Sequence, residues 1–135
     1  GAFLNGQSLS VGGGKTLDQC ILGMDMSYNN EGAANGLEVI KSIWPGMQTL
    51  RVNGSSALGI SYVAAGRTDL YFNHQLAPWD QVAGLILIEE AGGVSTDRSG
   101  HRATINSDGI IATNQSLLNQ FMEATDGMNW RKTTH

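Results

Sequence analysis

The chain of 135 residues contains one cysteine, Cys20, and that scarcity excludes both a disulfide framework and a cysteine metal cluster. A reducing, cytoplasmic setting is the default for such a chain. Charge is also scarce, at 15% of residues, which suits a compact, buried α/β layer better than a solvated helical bundle. Eight basic residues face twelve acidic ones, the net charge is −4, and no basic run occurs. Electrostatics therefore give no reason to expect a nucleic-acid partner. No apolar run reaches the length of a membrane span, and the start lacks the basic-then-apolar shape of a signal peptide. No membrane partner is expected.

What is present is a hydrophobic fraction of 41% and eighteen glycines. A chain of this length hides roughly 68–70% of its unfolded surface on folding. The glycines sit at the ends of apolar segments, where turns and helix stops need them, and no internal repeat is visible.

Along the chain, GAFLNG (1–6) is an apolar pair followed by an Asn-Gly turn, with nothing before it to pair against. SVGGGKT (10–16) invites a phosphate-loop reading. That motif needs a glycine five residues before Gly14, where Leu9 stands, and a helix directly afterwards, where CILGMDM (20–26) reads as a strand. A surface turn fits better. Ala33, Leu37, Ile40 and Trp44 recur at helical spacing opposite Asn35, Glu38 and Lys41, predicting an amphipathic helix stopped by Pro45-Gly46.

TLRV (49–52) reads as a strand, and ALGISYVAAG after it as a helix apolar nearly all round and therefore buried. LYF (70–72) is the next strand. Residues 76–93, LAPWDQVAGLILIEEAGG, predict another helix so apolar that it belongs in a core. VSTD (94–97) and GIIAT (109–113) are strands, and Asn114 or Ser116 caps a last helix carrying Leu117, Leu118, Phe121 and Met122. The alternation predicts an α/β fold with helices on both faces of a sheet. The tail from 126 to 135 has no period and is expected to be frayed.

In open α/β sheets, ligands gather where strands end and helices begin. Two such junctions carry chemistry. At Asn53-Gly54-Ser55-Ser56, a helix start offers unpaired N–H groups and a partial positive charge, suited to a phosphate or a sugar hydroxyl. The plain alternative is a Ser N-cap. At Pro78-Trp79-Asp80, Asp80 lies in a first turn where the dipole favours its ionised form, a good state for a divalent cation. Here too the alternative is a cap. His74, His101 and His135 share no ligand spacing, and Cys20 reads as a buried structural thiol.

Taken together, LRVNGSSALGISYVAAGRTDLYF and LAPWDQVAGLILIEEAGGVSTDRSG closely resemble the C-terminal half of the inositol monophosphatase family. These are magnesium-dependent, lithium-sensitive phosphatases sharing a fold with fructose-1,6-bisphosphatase. The likeness runs from GAFLNGQSLSV to SDGIIATN and the last helix, and its most specific element is Trp79-Asp80-Gln81-Val82-Ala83-Gly84. The resemblance implies that Asp80 ligates a catalytic Mg2+ and that Gly54, Ser55 and Ser56 line the substrate pocket. Asn73 stands where the inositol enzymes carry a glutamate that binds an inositol hydroxyl. An amide offers no charge and brings a donor as well as an acceptor.

The family's first metal signature, an Asp-Pro-x-Asp-Gly-Thr run, does not occur in these residues. Residues 1–19 are accordingly expected to be the link from an N-terminal half, followed by the α/β domain over 20–125. The expected activity is hydrolysis of a small phosphorylated metabolite by metal-activated water, in a chain that is nearly inactive alone and binds Mg2+ weakly. The substrate stays open among inositol phosphates, fructose bisphosphate, histidinol phosphate and nucleotide 3′-phosphates. A non-catalytic binding or dimerisation module retaining the fold is the alternative, and a homo-oligomer is expected in either case.

Overall fold

The computed structural model describes residues 1–44 and 46–132. Seven strands and four α-helices follow in the order β1 (Phe3–Leu4), β2 (Gln7–Ser8), β3 (Ile21–Met24), α1 (Asn30–Ile43), β4 (Thr49–Arg51), α2 (Ser56–Ala64), β5 (Leu70–Asn73), α3 (Pro78–Glu90), β6 (Val94–Thr96), β7 (Ile110–Thr113) and α4 (Gln115–Ala124). Single 3-10 turns lie at Leu17–Gln19 and Asn129–Arg131.

β1 and β2 form a hairpin of their own across the Asn5-Gly6 turn, with Phe3 opposite Ser8. The apolar pair thus finds its partner in the residues that follow it. The other strands make one sheet in the order β4-β3-β5-β7-β6, parallel from β4 to β5 and antiparallel at both contacts of β7.

Strand alternation sorts the side chains onto two faces. Leu22, Met24, Leu70, Phe72 and Ile111 meet Val39 and Ile43 of α1 and Leu117 and Phe121 of α4. Tyr71, Ile110 and Ala112 point the other way, onto Ile60 and Val63 of α2 and Ile88 of α3. The result is the layered sheet with helices on both faces that the sequence predicts.

Three expectations need correction. The buried stripe of α1 is Gly32, Gly36, Val39 and Ile43, while Leu37 and Trp44 are exposed. The glycines face inward because there is no room for a side chain: a Cβ on Gly32 would lie 2.2 Å from the His74 ring, and one on Gly36 would lie 3.2 Å from Met24. Pro45, the expected stop, lies outside the described residues.

Second, α2 and α3 are not enclosed. α3 buries Gln81, Gly84 and Ile88, yet Val82 and Ile86 are 45% and 59% exposed, and Leu58 of α2 is 47% exposed. Third, the tail expected to fray from 126 is anchored at Trp130, while residues 133–135 lie outside the described residues. Trp130 is buried edge-on to Phe72, with ring centroids 5.2 Å apart, and also against Phe121 at 6.0 Å. Aromatic pairs of this geometry contribute roughly 0.5–1.5 kcal/mol beyond their area burial.

Two arginines clasp this segment. Buried Arg98 donates through Nη1 to the carbonyls of Trp130 (3.1 Å) and Lys132 (2.6 Å), while Arg131 donates back to the Arg98 carbonyl and to that of Met122. At the other end, the arm before β3 is stitched on by bonds from Val11 N–H to the Ala91 carbonyl and from Asn114 Nδ2 to the Gly12 carbonyl. Lys15 of the GGGKT stretch pairs with Asp69 at 3.1 Å, and only the 3-10 turn follows it. Cys20 is fully buried, and burial pushes its thiol up to about 12, which keeps it inert. No described helix is long and apolar enough to cross a membrane.

Candidate active site

β3 lies between β4 and β5, and its crossover helix α1 packs on one face while α2, leading into β5, packs on the other. The chain therefore parts at the carboxyl ends of β3 and β5, the position where open sheets form clefts. The register pairs Met24 with Phe72, so the next residues, Asp25 and Asn73, come side by side at that edge. A cleft of about 900 Å3 opens there, and Gly54, Ser55, Ser56, Asn73 and Asp80 all line it. The fold thus brings these five residues, singled out in the sequence, into one place. Asp25 lines the same cleft, and exposed Tyr28 and Trp79 stand at its rim.

The floor is a connected polar network. Asp25 accepts the Gly54 N–H through Oδ1 at 2.7 Å and the Tyr71 hydroxyl through Oδ2 at 2.7 Å. Tyr71 Oη lies 3.1 Å from Ser56 Oγ. Asn73 Nδ2 donates to Ser56 Oγ and to Tyr71 Oη, both at 3.2 Å, and Asn73 Oδ1 receives the Gln75 N–H at 3.4 Å. Burial holds the Tyr71 phenol well above its ordinary range; the Ser56 hydroxyl pulls it down and Asp25 pushes it further up.

The ring of Tyr71 occupies a slot cut by two glycines. A Cβ on Gly23 would lie 3.2 Å from it, and one on Gly59 would lie 2.3 Å away.

The helix starts differ from the simple picture of free donors. Ser55 is the N-cap of α2, its hydroxyl accepting the Leu58 N–H at 3.3 Å, and the Gly54 N–H is committed to Asp25. The Gly54 N–H, which precedes the cap, is therefore not free for a ligand. Asp80 reaches back from the first turn of α3 to accept the Ala77 N–H through Oδ2 at 3.3 Å. Oδ1 of Asp80 has no protein partner among the described residues. Its surroundings are partly open to solvent.

The cleft therefore carries two carboxylates, and no Lys, Arg or His is among its lining residues. Hard oxygen donors in an acidic cleft suit magnesium. Each oxygen of Asp25 already accepts one hydrogen bond, and no group of three or more His, Cys, Asp or Glu side chains converges among the described residues. Asp80 is the cleft carboxylate with an oxygen that has no protein partner among the described residues.

Asp25 and Tyr71 escape sequence reasoning for different reasons. Asp25 stands directly beyond an apolar strand, at the same kind of junction that drew attention to Gly54 and Asp80, and that position was a usable signal. Tyr71 sits within LYF and is indistinguishable there from a core residue. Of the histidines, His74 is buried and His101 is an exposed neighbour of Asp97, while His135 lies outside the described residues.

The chain is thus a three-layer α/β domain with an acidic, base-free cleft at its strand ends. The model of the inositol monophosphatase family matches residues 1–127, and the chain belongs to that family, corresponding to its C-terminal half. It is 36% identical over 124 residues to an inositol-1-monophosphatase of Rhizobium meliloti, covering 91% of this chain and 47% of that protein. It is 37% identical over 126 residues to a fructose-1,6-bisphosphatase/inositol-1-monophosphatase of Thermotoga maritima, covering 93% of this chain and 47% of that protein. The crystal structure of the extragenic suppressor protein suhB from Bartonella henselae superposes with a TM-score of 0.86 at 31% identity, covering 94% of this chain and 49% of that one. The chain spans about half the length of the relatives it matches.

Proposed function

We propose that the chain is the C-terminal portion of a magnesium-dependent phosphate monoester phosphatase, acting in the cytoplasm on inositol monophosphate or a related small phosphorylated metabolite. The observation that carries this reading is the acidic, base-free cleft. Two like unit charges about 4 Å apart near a protein surface repel by about 4 kcal/mol, so a phosphate dianion needs cations beside it to enter. In this reading Asp80 holds one side of the metal, while Ser56 and Asn73 hold the hydroxyls of the substrate's carbon skeleton. Magnesium, when bound, would supply charge neutralisation on phosphate oxygens and an activated water. The remaining metal ligands belong to the half of the family's fold that carries the Asp-Pro-x-Asp-Gly-Thr run.

The test is phosphate release across inositol monophosphate, fructose bisphosphate, histidinol phosphate and a nucleotide 3′-phosphate, with magnesium titrated from zero. The chain alone should release nothing beyond an Asp80→Asn control. Supplied with the N-terminal half of a relative, it should turn over with magnesium, and Asp80→Asn should lower the rate by roughly 10²–10³-fold, the scale for losing one electrostatic contributor. Turnover that ignores magnesium or Asp80 would sink the proposal.

The exposed Leu58, Val82 and Ile86 favour a second reading, a binding or dimerisation module that keeps the fold without the chemistry. Discrete self-association together with inactivity in every reconstituted pair would select it.

A further inference from the structure

Asn73 is an amide, and either its carbonyl or its NH2 group could face a ligand. Which edge does so decides what the cleft accepts. The neighbouring groups settle the matter by hydrogen-bond accounting. The Tyr71 phenol has one proton, and the charged Asp25 oxygen at 2.7 Å takes it. Toward Asn73 the phenolic oxygen can then only accept, so the atom 3.2 Å away must be Nδ2. The other end of the amide agrees: the Gln75 N–H lies 3.4 Å from Oδ1, and a turned amide would set donor against donor. The second Nδ2 proton goes to Ser56 Oγ. Both donors of Asn73 are consumed inside the floor, and what remains for the cleft is the carbonyl.

We infer that Asp25 and Tyr71 are positioning residues that lock the Asn73 amide with Oδ1 toward the cleft, so that this wall reads a hydroxyl donor of a polyol. Asn73 then presents the same hydrogen-bond polarity as a carboxylate, without the charge. The orientation stands on the geometry alone; the polyol rests on the proposed function above. Gly23 and Gly59 serve the same arrangement by leaving the slot that keeps the Tyr71 hydroxyl between Asp25 and Asn73.

The test uses the isotope-labelled chain and reads the solvent exchange of the Asn73 Nδ2 protons by NMR. They should exchange at least about tenfold more slowly than those of a free asparagine amide, the scale of a formed hydrogen bond. Tyr71→Phe removes the phenolic oxygen from a ring that stays in its slot, and Asp25→Asn releases the phenol's proton. Each should speed exchange of the Nδ2 proton that faces Tyr71 at least several-fold while the backbone spectrum stays folded, the proton on Ser56 Oγ keeping its protection. Because the two variants perturb the fold in different ways, one folded variant suffices.

Fast exchange in the wild type, or protection unchanged in the folded variants, would overturn the orientation whatever the substrate. In a second arm, myo-inositol is titrated up to its solubility. It should shift the Asn73 side-chain and Gln75 N–H signals in the wild type, and several-fold less in Asp25→Asn. A protected amide with no response to inositol would overturn the polyol assignment and leave the orientation standing.

Discussion

The two helical layers of this domain are built alike on the inside and differently on the outside. α1 and α4 bury an apolar stripe and turn Glu31, Glu38, Lys41, Gln115, Asn119 and Glu123 outward, with Leu37 among them. α2 and α3 also bury an apolar stripe, but outward they show Leu58, Val82 and Ile86, with Glu89 and Glu90 only in the last turn of α3. The first layer is made to meet water. The second carries apolar side chains on both its sides. The difference teaches that near-uniform apolarity in a helix does not by itself mean that the helix is enclosed.

The largest way to break this contrast is to open the closed layer. Trp130→Ala removes a ring packed against Phe72 and Phe121, and large-to-small changes of this kind cost about 3–5 kcal/mol. Denaturant unfolding should show that loss, with the midpoint lowered. A loss below about 0.5 kcal/mol, the range of an ordinary surface change, would mean that the end of the chain is loose after all.

A smaller effect is expected on the inner side of the second layer. In an exposed helix Gly→Ala gains up to about 1 kcal/mol, but at Gly59 the new methyl would stand 2.3 Å from the Tyr71 ring. Overpacking of this sort costs typically about 1–3 kcal/mol, so Gly59→Ala should destabilise and should also free the Asn73 amide. A stabilised Gly59→Ala protein would mean that the Tyr71 slot has room to spare.

On the outer side of the same layer, Ile86→Glu should change stability by no more than about 0.5 kcal/mol. What it should change is association. The wild-type chain is expected to self-associate through this face, and the variant to sediment as a monomer. A wild-type monomer at high concentration would count against this face as a self-association surface.

These contrasts also mark what was legible in the sequence. The strands and helices could be read because apolar runs alternate with Gly, Asn and Ser stops, and that alternation fixes the class of fold. The buried face of α1 could not be read. Hydrophobic periodicity detects side chains, and at Gly32 and Gly36 the inward signal is a missing one, with His74, Met24 and Phe72 filling the space from the other side. Trp130 was hidden because a single aromatic in a polar tail has no period, and one of its two aromatic partners, Phe72, lies far away in sequence.

At the site, Gly54, Ser55, Ser56, Asn73 and Asp80 were visible as motif positions. The network beneath them was not. Whether Asn73 presents a donor or an acceptor depends on where one phenolic proton goes, and that is decided by Asp25, more than forty residues away.

The smallest expected effect concerns His74, which the closed layer holds against Gly32. Its ring is buried, and burial lowers its affinity for a proton, as does Arg98, while Asp108 and Glu31 act in the opposite sense. The folded chain therefore binds a proton at His74 less readily than the unfolded chain, whose histidine titrates near about 6.5. Above that pH both states are neutral and the group adds no slope. As the pH falls below it the unfolded state takes up the proton first, and stability drops until the folded-state value is passed. Chemical unfolding measured across this window should show the decline in the wild type. His74→Gln should flatten it, even if the variant is less stable at every pH. An unchanged slope would mean that another group carries the acid sensitivity and that His74 titrates alike in both states.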